Sequence, residues 1–369
     1  MNLRRLTEGI RNEALKIGFV KTGFARAGKT PYMTHFRDWI RSGFHGEMRY
    51  LERQAEKRGN PELVLPGVRS VVVAALNYYS GYSGEDAAKS PLTGRISRYA
   101  LGMDYHSVLM DRLERLLKFI KSEVPDANGR CYVDTGPVME KVWGAETSIG
   151  WIGKHSGLVS REFGTRFFIG VILLDIALEY DGKSESLCGA CRRCLNACPT
   201  GALVAPYRLD ARKCLSYLTI EFQGTMPPEL RPFAGNRVFG CDECQNACPW
   251  NRFAAKTTID ELSPRKENIA PKLLSLAGLS GGEFERRFAA SSVLRAARDG
   301  FTRNVIIALG NSRDAEAVPA LEAALMDESR IVREHAEWAL KQCRGGSRTA
   351  LPDETEKTKG RSALRPYRM

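Results

Sequence analysis

The stretch "LCGACRRCLNACPTGAL" (187–203) sets Cys188, Cys191, Cys194 and Cys198 ahead of Pro199. The spacing C-x2-C-x2-C-x3-C-P is the bacterial run that holds [4Fe–4S] cubanes, and its fourth cysteine serves a second cluster. A second stretch, "GCDECQNACPWN" (240–251), sets Cys241, Cys244 and Cys248 ahead of Pro249. Two cubanes need eight thiolates, and the runs supply four and three. Cys214, in "RKCLSYLTIEFQ" (212–223), completes the eight.

Three close cysteines wrap one cube, and the fourth, on the following helical turn, points away. Ligation therefore crosses over between the runs. One cluster takes Cys188, Cys191, Cys194 and Cys248; the other takes Cys198, Cys214, Cys241 and Cys244. Cys131 and Cys343 remain, and buried packing is the expected role of both. Structural zinc favours paired cysteines in tetrahedral sites and fits these longer runs poorly. No histidine lies inside either run, which argues against a Rieske centre. Two clusters with crossed ligands form an electron wire, and a wire needs a terminus elsewhere in the chain.

The rest of the 369 residues offers room for one. Residues 1–185 mix helical and strand patterns and read as an α/β or α+β domain. "SVVVAALNYY" (70–79) and "RFFIGVILLDI" (166–176) are β-branched apolar runs of strand length, expected as central strands. "HSVLMDRLERLLKFIKSEV" (106–124) spaces Leu109, Leu113, Leu116, Leu117 and Ile120 as an amphipathic helix closed by Pro125. Residues 186–255 form the cysteine-rich domain. "AAKTTIDELSPRKENIAPK" (254–272) reads as a connector. Residues 283–345 are helical; "DAEAVPALEAALMDESRIVREHAEWALKQC" has the shape of one HEAT-type repeat, with Pro319 early and Asp327 in the turn. A unit this short should dock on the body. The tail, 346–369, reads as disordered.

Lys plus Arg outnumber Asp plus Glu by 55 to 43, a net +12, and the stretch after Cys343 holds only +4 of it. The basic body favours a polyanionic partner. The N-terminus is amphipathic, with Leu3, Leu6, Ile10, Ala14 and Ile17 on one face, and lacks the apolar core of an export signal. The longest apolar runs are too short to span a bilayer. A cytoplasmic location without membrane contact is expected, where clustered cysteines serve metals. No heptad pattern appears, so a monomer is expected. "GFARAGKT" (23–30) satisfies the P-loop pattern, but Gly23 falls inside an expected strand and Pro31 follows at once. A strand, a turn and a helix starting near Pro31 account for it.

Four stretches now align in order: "GRISRYALGMDYH" (94–106), "YVDTGPVMEKVWGAETSIGWIGKH" (132–155), "KCLSYLTIE" (213–221) and "GCDECQNACPWN" (240–251). Over roughly residues 1–345 the chain closely resembles the epoxyqueuosine reductases. The resemblance implies an α+β multidomain protein. It would have a nitroreductase-like N-terminal α/β cobalamin-binding domain, a ferredoxin-like two-cluster domain and a helical HEAT-like end. It also implies the activity: reduction of epoxyqueuosine to queuosine at the tRNA wobble position, the last step of queuosine biosynthesis, fed by a low-potential electron donor. Asp104 and His106 begin the cobalamin-ligand pattern D-x-H-x-x-G, but Leu109 stands where Gly is needed. The resemblance implies a base-off cobalamin without a protein histidine ligand.

The resemblance maps a catalytic acid onto Asp134; on sequence alone this residue would be an N-cap for a helix near Pro137. Tyr105 and His106 are further candidates to touch the substrate. The family's cofactor contacts fall on Lys57, Ser97, Asp134, Leu158, Ser216 and Gln223. Arg231, Arg295, Arg298 and Arg303 suggest a rim for tRNA phosphates, with the modified base leaving its stack to reach the pocket. Two other readings share some features: a cobalamin-dependent reductase of small molecules, like the reductive dehalogenases, and a polyferredoxin-type electron carrier with a protein-binding helical module.

Overall fold

The computed structural model describes residues 2–82 and 90–345, so the tail expected to be disordered lies outside the described residues. At its centre is a four-stranded sheet in the order Lys21–Arg26, Ser70–Asn77, Phe167–Leu174, Gly129–Tyr132. Every neighbour is antiparallel, with Val73 opposite Gly23 on one side and Val171 on the other. The N-terminal region is thus α+β and not a parallel-stranded α/β domain. A continuous apolar run reports burial on both faces, not strand direction, so its pattern left this open.

Residue alternation divides the core. Val72, Ala74 and Leu76 face the helices Leu3–Ile17 and Tyr105–Glu123. Val71, Val73 and Ala75 face Trp143, Ile149 and Phe163. The first helix buries Leu6, Ile10, Ala14 and Ile17, as its spacing requires, while Leu3 stays exposed. Asp104 caps the second helix by accepting a hydrogen bond from His106 N at 3.1 Å. That cap sets Tyr105 and His106 on the first turn, at one end of the sheet. Gly23 lies in mid-strand, and the next helix, Met33–Arg41, starts beyond Pro31 with Thr30 buried. No helix begins at Lys29–Thr30 to form a phosphate loop.

The expected boundaries are less clean than the sequence implied. Strand Arg237–Phe239, inside the cysteine-rich segment, pairs in parallel with Arg95–Ile96. Val238 and Phe239 then join Ile96, Leu101 and Phe301 in one core. The expected connector is a strap: Ile259 and Leu262 enter the N-terminal core, and Thr257 N donates to Tyr79 O at 2.7 Å. The helices Ala297–Ser312, Val318–Ala324 and Arg330–Arg344 pack on that shared core. The first of these is buried all round from Gly300 to Gly310. Gly310 permits close approach of the last helix, since a β-carbon there would lie 2.7 Å from that of Ala339. Cys131 and Cys343 are half-buried against the cores. Among the described residues no helix is long and apolar enough to cross a membrane.

Candidate active site and cysteine cages

Asp134 lies in the bend, 133–137, that follows strand Gly129–Tyr132. Its φ is +53°, in the left-handed region that a residue with a side chain seldom adopts. Two hydrogen bonds hold it there. Its N–H donates to Glu140 Oε1 at 3.1 Å, and its Oδ2 accepts from the Tyr105 hydroxyl at 2.8 Å. It is not a helix cap: the next helix, Glu140–Ala145, starts later, with Met139 at its N-cap. The carboxyl group is exposed.

Tyr105 lies between two rings, Phe168 at 4.3 Å and 6° and His106 at 4.1 Å and 27°. Burial first, then the charge of Asp134, drives its hydroxyl far above the ordinary phenol range, so Tyr105 acts here as a donor. His106 Nδ1 sits 2.7 Å from Asp104 Oδ1, which also accepts from Ser292 Oγ at 3.1 Å. Burial would raise the Asp104 carboxyl, but the hydrogen bonds from His106 and Ser292 hold it below its usual range. His106 is thereby oriented by a carboxylate and braces the Tyr105 ring. Beneath the loop, burial and then the charge of Asp134 push the Glu140 carboxyl up to about 7.

Three parts of the chain meet around this group. The Tyr50 hydroxyl is raised by burial first, and it feels Glu221, Arg295, Asp134 and Arg58. Arg295 grips Glu221 with two bonds, Nε to Oε1 at 3.0 Å and Nη2 to Oε2 at 2.9 Å. Arg58 Nε is buried without a partner, although its Nη1 donates to Val138 O at 3.3 Å. Tyr50, Arg58, Glu140 and Glu221 were not singled out from the sequence. Only the fold brings Glu140 to Asp134 and sets Arg58 and Glu221 around Tyr50, and no local spacing marks them.

Of the residues expected to contact a cofactor, Lys57 is exposed beside Arg58, Ser216 is half-buried and Gln223 exposed, flanking Glu221. Two have side chains turned inward. The Ser97 hydroxyl is committed to Asp242, and Leu158 packs in the core under Gly144. The arginine rim needs correction. Arg303 is wholly buried and Arg231 is 5 % exposed, its Nε donating to Met226 O at 2.8 Å. Arg298 is paired with Asp327, leaving Arg295 as the one of the four with a largely exposed side chain. A basic run on a helix does not say which face is buried, and here the helix runs through the core.

The cysteines gather in two sets. Cys188, Cys191, Cys194 and Cys248 line one cavity of about 170 Å3. Burial first, and then Cys188, Cys194 and Cys191, push the Cys248 thiol up to about 11 against a backbone hydrogen bond from Trp250. Cys244 is raised by burial and then by Cys214, Cys241 and Cys198. Thiols that oppose one another's ionisation become thiolates together only around compensating cations, so each set suits a metal cluster. The first set includes the exposed Cys191, whereas no member of the second is exposed.

Two sets of four cysteines, with an exposed acid on a strained loop, define an iron–sulfur oxidoreductase. The family model described as epoxyqueuosine reductase QueG, DUF1730, matches residues 58–135. That of a 4Fe-4S double cluster binding domain matches residues 187–251. An epoxyqueuosine reductase of Pseudomonas aeruginosa is 40 % identical over 343 residues, covering 92 % of this chain and 94 % of its own. A crystal structure of epoxyqueuosine reductase with an epoxyqueuosine-modified tRNA-Tyr stem loop superposes with a TM-score of 0.86. It is 34 % identical, covering 93 % of this chain and 91 % of its own. The Bacillus subtilis enzyme, solved with its catalytic aspartate loop swung out of the active site, gives 0.84 at 33 % identity, covering 93 % and 91 %. The chain belongs to the epoxyqueuosine reductase family.

Proposed function

We propose that this chain reduces the epoxide of epoxyqueuosine in tRNA to give queuosine, with Asp134 delivering protons. The observation that carries this is the Tyr105–Asp134 pair on its strained, exposed loop. Removing the epoxide oxygen as water consumes two electrons and two protons. Tyr105 donates to Asp134 and so fixes the carboxyl group in place. The carboxyl group can then supply a proton to the epoxide oxygen as the ring opens. Glu140 holds the backbone of the same residue from behind.

The clusters would be held in crossed sets, by Cys188, Cys191, Cys194 and Cys248 and by Cys198, Cys214, Cys241 and Cys244. Each supplies one-electron transfer when bound. The grouping of thiols described above supports the crossing. A cobalamin would sit among Tyr50, Arg58 and Asp134, where its polar amide edges would give the orphaned Arg58 Nε an acceptor. Lys57, Ser216 and Gln223 would hold it, with Ser97 and Leu158 limited to backbone contacts. Bound there, cobalamin supplies a low-potential cobalt centre. His106, held by Asp104 at Nδ1, would keep the Tyr105 ring in place beside the bound group. Arg295, whose charge acts with Glu221, Tyr50 and Asp134, would meet the tRNA backbone. The protein would act as a cytoplasmic monomer supplied by a low-potential donor.

The deciding experiment uses anaerobically reconstituted protein, tRNA carrying epoxyqueuosine and a low-potential reductant, with nucleoside mass spectrometry as readout. Wild type should convert the nucleoside with loss of one oxygen. Asp134→Asn should lose about 10²–10⁴ in rate with tRNA affinity unchanged. No conversion by a fully loaded wild type would move the reading to a small-molecule substrate.

A further inference from the structure

His155 has a feature that the reaction chemistry above leaves unused. It sits in the turn that joins strands Trp151–Ile152 and Leu158–Val159. The Gly157 N–H donates to its Nδ1 at 3.0 Å. Nδ1 is therefore an acceptor and carries no proton, and the one N–H of the neutral ring lies on Nε2. A doubly protonated ring would set two hydrogens against each other at this contact. Nε2 is buried and has no partner in the protein, and the residue is only 8 % exposed.

The ring is fixed in place. A β-carbon on residue 153 would lie 3.1 Å from Nε2, and one on residue 157 would lie 2.9 Å from Nδ1. Two glycines thus make the slot that the imidazole fills. Gly153 N donates to Gly157 O at 2.8 Å and closes the turn around it. His155 lines the same cavity as Cys188, Cys191, Cys194 and Cys248. The hairpin already sends one donor to that cage: Trp151 Nε1 lies 3.4 Å from Cys188 Sγ. A buried N–H with no acceptor is costly, and sulfur is the acceptor the cavity supplies.

We propose that His155 donates a hydrogen bond from Nε2 to a sulfur of the cluster held by Cys188, Cys191, Cys194 and Cys248, and thereby raises that cluster's reduction potential. The inference rests on the crossed ligand assignment proposed above. Reduction adds one electron, and so negative charge, to the cluster. An N–H directed at sulfur stabilises that charge more than it stabilises the oxidised form. His155 is a positioning and tuning residue for electron entry and does not touch substrate.

The test is an EPR-monitored redox titration of full-length reconstituted protein: wild type, His155→Phe and His155→Gln. His155→Phe should move one of the two midpoints negative by a tenfold change in the reduced fraction, about 59 mV for one electron. The other midpoint should stay. His155→Gln, which keeps an N–H donor, should recover part of the shift. Wild type labelled with nitrogen-15 histidine should show a nitrogen coupling to one reduced cluster, absent in His155→Phe. Unchanged midpoints in variants that retain about eight irons would overturn the proposal. So would a wild type without the coupling, a result that stands even where His155→Phe loses its cluster. The ligand assignment is tested separately. Cys248→Ala and Cys188→Ala should remove the same EPR signal; loss of different signals would sink the crossed sets whatever His155 does.

Discussion

Arg303 and Glu140 are both charged residues drawn into the protein, and they are treated in opposite ways. Arg303 has all five of its N–H donors satisfied. Nη1 donates to Phe222 O at 2.8 Å and Gly224 O at 2.7 Å, Nη2 to Leu218 O at 2.6 Å, and Nε and Nη2 both reach Asn304 Oδ1. Even so, burial lowers its guanidinium to about 10. Glu140 accepts one N–H and faces the carboxylate of Asp134. The guanidinium fastens the 218–224 segment to the helical end. The carboxyl group is left in conflict with its neighbour, beneath a loop held at positive φ. Groups that only hold a fold together tend to be fully satisfied, and conflict collects where chemistry is done.

The largest effect is expected at Arg303. Arg303→Met keeps bulk but strands three backbone carbonyls. It should cost on the order of 3–5 kcal/mol in urea denaturation, with Arg303→Lys losing less. A loss below 1 kcal/mol would mean that water replaces the guanidinium there. Glu140 comes next. Its folded-state value of about 7 stands above the ordinary 4.5, so the folded protein binds this proton more tightly than the unfolded chain. The stabilisation is complete below about pH 4.5 and is lost as pH rises through 7, by up to about 3 kcal/mol. Glu140→Gln still offers an acceptor to Asp134 N–H and should flatten this dependence between pH 5 and 8. Equal slopes in the two proteins would mean that Glu140 is ionised in the fold as readily as in the unfolded chain. The smallest effect belongs to Arg295. Its ion pair with Glu221 is partly exposed, so Arg295→Ala should change stability by less than about 1 kcal/mol. Its signature is instead a tRNA affinity whose logarithmic salt slope falls by about 1. An unchanged slope would place the tRNA elsewhere.

Legibility followed distance along the chain. The helix Tyr105–Glu123 and the two central strands were readable because their determinants lie within a few residues, whereas the Asp104 cap was not singled out. The direction of the strands was not readable, since period and burial are the same in parallel and antiparallel sheets. The connector at 254–272 looked like a linker because its two apolar anchors, Ile259 and Leu262, are too few to make a pattern. The resemblance pointed to Asp134, whereas Tyr50 and the charges of Arg58 and Glu221 that act on it were not legible, as they come from separate segments. Arg231 and Arg303 looked like phosphate contacts because a basic residue reads as surface until packing shows otherwise.

What the sequence determined alone is the metal chemistry. Cysteine spacing is local geometry, and a C-x2-C-x2-C-x3-C run restricts which sulfurs can face one centre before any fold exists. The company each charge keeps is set by packing. Whether an arginine meets a phosphate or a carbonyl, and whether an aspartate caps a helix or pairs with a tyrosine, depends on contacts across tens to hundreds of residues. Those contacts form only when the sheet, the strap and the helices close on one another, because desolvation and pairing energies exist only once water has been excluded.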